Sequence, residues 1–421
     1  MPPMKYSLPR LIVVVLALAA PAFAARLELP VDGLESRIEF WKKVYTQYGQ
    51  DDIVIHDRIR GQVQFDWARE QDHVVKRADG SCLYHLASVV DDYEFQITHV
   101  IRAEEHLSNT PRQIFIAQSL GYTLPQYAHL PYVAEPGSKN KLSKRKLDKY
   151  LKNRDFALVN EHGVAIAKAV GLETTGETFN PVIVDLYEQV GYLPEAIINY
   201  LVLLGWSLDD KTEFLTRDEM IANFSLERVT KAPASFDSKK LWAFQDHYMQ
   251  ELPIKQRVAR MLAYLQRAGL VATPAPCEVG SKLTRIVEAA GDRLKVFGDI
   301  IAYADFFFVD QVRFDEAAFE KTLCKPGVAK LLAKFRAALE QVEPFDTPNL
   351  ETALHSFAAT DGVNSGDIIH AVRVAATGKP VGPGLYDCLD ILGKQTSLER
   401  IDLALQKVVS DQRSVKDRTI G

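Results

Sequence analysis

A chain of 421 residues that is 47% hydrophobic and 25% charged has material for a substantial core in two or three domains, which excludes a disordered protein. Its formal charge of -5 gives no overall basic field, so any contact with nucleic acid must come from local patches. Cys82, Cys277, Cys324 and Cys388 form no C-x-x-C pair, which excludes a zinc knuckle and a dense disulfide framework; they read as isolated buried thiols, with no metal site.

In chain order, residues 1–24 have the three-part pattern of an export signal: Lys5 and Arg10, the apolar run Leu11 to Ala20, then Ala22-Phe23-Ala24. The run is half the roughly 20 residues that span a bilayer, so cleavage after Ala24 and export are expected. The other reading is a buried strand or helix at a domain edge. Residues 25–54 read as a loop and an amphipathic helix with Ile38, Trp41, Val44 and Tyr45 on one face. "FWKKVYTQYG" resembles the stretch after the signal in secreted lytic transglycosylases, and nothing downstream continues that likeness.

Residues 55–155 have an α/β texture. "GQVQFDWA" alternates as an edge strand, and "CLYHLASVVDD" ends an apolar run in Asp91-Asp92, read as a turn that caps the next element. "ITHVIRAEEHL" is a short strand running into a helix at "NTPRQIFIAQSLGY". Strands followed by charged turns are how α/β sheets present ligand-binding groups at their carboxyl ends.

Further on, the pattern is helical. "PEAIINYLVLLGW" starts at Pro194 and stops at Gly205; "KKLWAFQDHYMQEL", "IKQRVARMLAYLQRAGL", "LLAKFRAALEQV" and "NLETALHSFAA" are further amphipathic helices. The fold class is α/β plus all-α, with a helical region at 156–235 and an all-helical one at 236–421.

Between these textures lies "EPGSKNKLSKRKLDKYL", where Lys139, Lys141, Lys144, Arg145, Lys146, Lys149 and Lys152 crowd a helix start. A solvated basic face is one explanation. The other is an anion site, because cations at a helix N-terminus oppose the macrodipole and flexible lysines can close over a polyphosphate.

"KLSKR" resembles the KMSKS-type signature of class I aminoacyl-tRNA synthetases as glutamyl-tRNA synthetases use it. "VIHDRIRGQVQFD" and "DGSCLYHLASVVDDYEFQITHVIRAEEHLSNTPRQI" precede it in that family's order, and "LPEAIINYLVLLGWS" and "HAVRVAATGKPVGPGLYDCLDILGK" follow. The likeness covers about residues 54–410, with departures at Cys82-Leu83 and in "KLWAFQDHYM". It implies the second half of a Rossmann-type catalytic domain over 55–155, a helical stem-contact region, then an anticodon-binding domain.

The resemblance also implies roles. Tyr84 and Ser88 match glutamate-contacting positions, and Arg102 matches the arginine that pairs with the substrate carboxylate, a task suited to a bidentate donor. Glu105 and His106 match positions beside ATP; Lys144 is the signature lysine at the phosphates, supported by Lys141, Ser143 and Arg145. ATP with Mg2+, L-glutamate and tRNA are the implied ligands, for a cytoplasmic monomer with no membrane partner. Without the family, Tyr84 and His106 read as core-edge residues, and Arg102 as a surface partner of Glu104 or Glu105.

The family also grips ATP through a His-Ile-Gly-His-type motif, and none of the ten histidines here lies in an H-x-G-H setting. The chain therefore reads as a synthetase that starts in its middle, joined to the signal-bearing segment near Val54 to Arg60. Three functions compete: glutamate–tRNA charging, weakened by the missing motif; a non-catalytic tRNA-binding remnant; and an exported protein.

Overall fold

The computed structural model describes residues 53–66 and 81–419, with 74, 75, 77 and 79, and gives the backbone alone at 144 and 412–419. The expected export signal and the helix bearing Ile38, Trp41, Val44 and Tyr45 lie outside the described residues. The chain divides into two units: one runs to Ser143 and includes Asn199–Asp237, the other comprises Lys144–Ile198 and Ser238–Gly421.

The first unit begins with a hairpin, β1 (Ile53–Asp57) antiparallel to β2 (Gly61–Phe65), in register from Ile53 opposite Phe65 to Asp57 opposite Gly61. Asp57 makes the turn. Its Oδ1 accepts the backbone N–H of Ile59 at 2.9 Å and of Arg60 at 2.8 Å, and Gly61 takes the left-handed φ of 82° that closes the turn. β2 alternates half-buried and exposed residues as "GQVQF" predicts.

Helix α1 (Tyr84–Glu94) buries Leu86 and Val89, spaced to share a face. It overturns the turn expected at Asp91-Asp92. Both aspartates lie inside its last turns, where their carbonyls accept the N–H groups of Phe95 and Ile97, because the helical spacing runs on through them.

Next comes a βαβ unit. β3 (His99–Ala103) leads through a 3-10 stretch, Glu104–Asn109, into α2 (Thr110–Ser119), which has proline in its first turn; β4 (Gln126–Leu130) returns parallel to β3. A short parallel pair joins β5 (Val133–Ala134) to β6 (Ala234–Ser235). Ile55, Ile114 and Tyr127 form one small core, and Ile59, Ala128, Trp206, Leu215, Met220 and Val229 another.

The second unit is helical among the described residues. It includes α3 (Arg154–Ala169) and α4 (Ser238–Glu251), then helices at Ile254–Arg267, Cys277–Ala290, Val328–Glu340, Thr347–Asp361, Ser365–Thr377 and Lys394–Thr419. Phe319, Leu332, Phe335, Leu354, Val372, Leu389 and Ile401 form its large core. Arg400, 2% exposed, crosses that unit's interior and donates to the carbonyls of Phe306, Val309 and Ala376.

The expectation of buried thiols fails at three positions: Cys82 and Cys277 are exposed and Cys324 is half-buried. Only Cys388 is buried, and burial pushes its thiol up to about 12. Among the described residues no helix is long and apolar enough to cross a membrane.

Candidate active site

Arg102 projects from β3, opposite His129 in the parallel register with β4. Its Nε donates to His129 Nε2 at 3.1 Å; Nη2 donates to Thr110 Oγ1 at 2.9 Å and to the His106 carbonyl at 3.2 Å. Nη1 makes no hydrogen bond among the described residues, and the charge of Arg102 is felt by the Asp92 carboxyl. The guanidinium also lies 5.9 Å from the centre of the Tyr127 ring. Two of the three nitrogens of this arginine are thus engaged within the protein. It pairs with neither neighbouring acid, because Glu104 bonds Arg60 and Glu105 bonds Lys141.

Behind Arg102 lies a buried polar pair. His129 Nδ1 is 2.5 Å from Asp57 Oδ2, and both side chains are wholly buried. An arginine Nε can only donate, so Nε2 of His129 is an acceptor and the ring proton sits on Nδ1, facing the carboxylate. Burial lowers the proton affinity of His129, with the charge of Arg102 acting the same way, against the opposing pull of Asp57. Burial alone would raise Asp57, but hydrogen bonds from Arg60 N, the His129 ring and Ile59 N hold its carboxyl below the usual range. His129 lies in none of the family-like blocks of the sequence, and Asp57, inside "VIHDRIRGQVQFD", has nothing there that pairs it with His129.

Tyr84 opens α1 with 52% of its surface exposed, its ring centre 6.2 Å from that of His106. His106 is half-exposed, its Nδ1 3.2 Å from Asn109 Nδ2 and its Nε2 3.8 Å from Glu105 Oε1. The hydrogen bond from Lys141, then its charge, holds the Glu105 carboxyl below its usual range, with exposure leaving little desolvation to oppose them. Contacts therefore link Tyr84, His106, Arg102, Glu105 and Lys141. Ser88 does something different: its Oγ accepts from Gln113 Nε2 at 2.9 Å and so fastens α1 to α2.

The basic loop folds back on β5. Leu142 N donates to the Val133 carbonyl at 2.9 Å, Glu135 N to the Asn140 carbonyl at 2.7 Å, and Gly137 takes the left-handed φ of 67°. Ser143 is half-buried and Arg145 exposed; Lys144 begins a single 3-10 turn, Lys144–Lys146. Lys139 and Lys141 of the first unit are exposed, donors of the kind that bind a polyphosphate, and Arg145, Lys146, Lys149 and Lys152 of the second unit are exposed as well. Lys141 would have to leave Glu105 to reach one. Among the described residues no group of three or more His, Cys, Asp or Glu side chains is placed to hold a metal ion. A cleft of about 630 Å³ lined by Asp92, Tyr93, Tyr122 and Gln126 contains none of these site residues.

Two family models match the chain: "tRNA synthetases class I (E and Q), catalytic domain" over residues 43–173 and 178–243, and "Anticodon binding domain" over 256–405. Fold and site together define a class I aminoacyl-tRNA synthetase architecture. The glutamate–tRNA ligases of Moorella thermoacetica and Desulforudis audaxviator are 36% and 38% identical over 83% and 84% of this chain, which spans 65% and 64% of their lengths. That of Methylacidiphilum infernorum is 34% identical over 85% of the chain and 72% of its own length. The chain belongs to the glutamate–tRNA ligase family. A solved glutamate tRNA ligase of Elizabethkingia meningosepticum, in complex with its amino acid, superposes with a TM-score of 0.66 at 27% identity, covering 93% of this chain and 78% of that one.

Proposed function

We propose that the chain serves the ATP-dependent activation of L-glutamate and its transfer to tRNA, and that activation by these 421 residues alone is weak or absent. One observation carries the reading: Arg102 is clamped through Nε and Nη2 with Nη1 left for a carboxylate, and a chain of contacts ties it to Tyr84 and to the lysine loop through Glu105 and Lys141. In this reading Nη1 binds a carboxylate of the amino acid, while Lys144 and the exposed lysines bind the phosphates and stabilise charge as pyrophosphate leaves. The absence of H-x-G-H among the ten histidines leaves the nucleotide held from the lysine side, which is the reason for expecting slow activation.

A second reading, a tRNA-binding protein without catalysis, is favoured by the same absence together with the intact anticodon-binding match over 256–405. Glutamate-dependent pyrophosphate exchange separates the two. Exchange that rises above background and is lost in Lys144→Ala supports activation; background exchange with salt-sensitive tRNA binding supports the second reading. Neither exchange nor tRNA binding would sink both. The location follows the same division: family membership favours the cytoplasm, the first 24 residues favour export, and cell fractionation of the intact chain decides. A join between unrelated sequences near Val54 to Arg60 is tested by sequencing a single transcript across those codons.

A further inference from the structure

We infer that His129, backed by Asp57, is a positioning residue that fixes the Arg102 guanidinium with Nη1 held out as the ligand for a carboxylate substrate. The inference rests on the reading of Arg102 given above.

The strands supply the geometry. Arg102 and His129 are register partners on adjacent parallel strands, so their side chains leave the same face of the sheet. Asp57, at the end of β1, meets the imidazole from its other side. Asp57 Oδ1 also accepts the backbone N–H of His129 at 3.2 Å, so one carboxylate fixes both the strand and the ring on it.

An arginine side chain is long and rotamer-rich, and its precision as a ligand depends on what removes that freedom. Here each partner is itself fixed. The imidazole cannot turn without breaking its bond to Asp57, and Thr110 Oγ1, which accepts from Nη2, lies 3.2 Å from His129 Nε2. Both ring nitrogens are committed, so His129 is not free to act as a general base. The groups facing it are Asp57 from β1, Arg102 from β3, and His106 and Thr110 from the segment between β3 and α2; Tyr127 stacks on its own strand, and Arg60 Nε bonds its carbonyl. Only Asp57 draws a proton toward the ring, while the cationic Arg102 opposes one, so the neutral form is the one the site is built around.

The test uses the full chain with 15N-labelled arginine and histidine. In the parent protein, a nitrogen–nitrogen coupling across the hydrogen bond between Arg102 Nε and His129 Nε2, with the proton on Nδ1, is expected; a protonated Nε2 or no coupling overturns the inference without reference to any ligand. Calorimetry with L-glutamate is the second arm. His129→Leu should weaken binding about tenfold or more, the worth of a hydrogen bond to a charged group. His129→Gln should recover part of that loss, because its amide oxygen can accept from Arg102 Nε. Leu offers neither an acceptor to Arg102 nor a donor to Asp57, whereas the Gln amide offers both, so urea midpoints of the two variants are measured beside the affinities to separate general destabilisation from the Arg102 contact. Equal affinities in the two variants, or parent-like binding by His129→Leu, overturn the inference. A parent chain that shows the coupling yet binds no glutamate removes the substrate reading and leaves the hold on Arg102 supported.

Discussion

Asp57 and His129 are pushed in opposite directions by burial, yet both end with lower proton affinity than they have in water. For His129 the sign follows directly: with its folded value below 6.5, the unfolded chain takes up a proton that the folded chain refuses. Stability is therefore lost as pH falls below about 6.5, and Asp57 adds a further loss as pH drops through and below its ordinary value of 3.8. Between pH 7.5 and 5.5 the urea midpoint of the parent should fall, and that of His129→Gln should fall less; equal slopes would show that His129 carries none of the dependence. Tyr84, Arg102, Glu105 and Lys141 could be singled out from the sequence because each sits in a contiguous family-like block, and the structure links them by contacts. The pairing of Asp57 with His129 could not, because 72 residues separate them and only the packing of β1 against β4 brings them together.

Helices were the legible elements, since roughly three to five turns of amphipathic spacing can be read from "IKQRVARMLAYLQRAGL" or "LLAKFRAALEQV" without tertiary knowledge. The two-residue strands β5 and β6 carry no such period and exist only because the chain returns at 234 to pair with 133. At Asp91-Asp92 composition misled, since paired aspartates favour turns but α1 keeps its buried face through them. The helix that follows the basic loop starts on a cap. Asn153 Oδ1 accepts the N–H of Asp155 at 3.0 Å and of Phe156 at 3.2 Å, and Asp155 adds negative charge at the positive end of α3. Asn153→Ala should cost about 1 kcal/mol in urea unfolding, whereas Asn153→Asp should keep the cap. If Ala costs no more than Asp, the cap does not stabilise α3.

The whole molecule joins units of unequal resilience. The helical unit has a large contiguous core crossed by Arg400, whose donors satisfy three carbonyls near helix ends. The α/β unit has sheets of two strands each among its described residues, over two small cores, and pairs of strands are marginal without such packing. Charge adds to the contrast. Among the described residues, the carboxyl groups held below their usual range, those of Asp57, Asp79, Glu105, Asp209, Glu219 and Glu227, lie in the α/β unit, so the stability they contribute above that range is lost there as they protonate in strong acid. His129 brings the first loss nearer to neutrality. Hydrogen exchange should resolve the two units: amides of Ile55 and Ala128 exchange ahead of those of Val372 and Ile401 at pH 7.5, by sub-global opening of the α/β unit. At pH 5.5, after correction for intrinsic exchange, the gap in protection should widen, because the refused proton on His129 destabilises only the unit that contains it. A single opening free energy for all four amides at both values would mean that the units unfold as one, and would refute this division of stability.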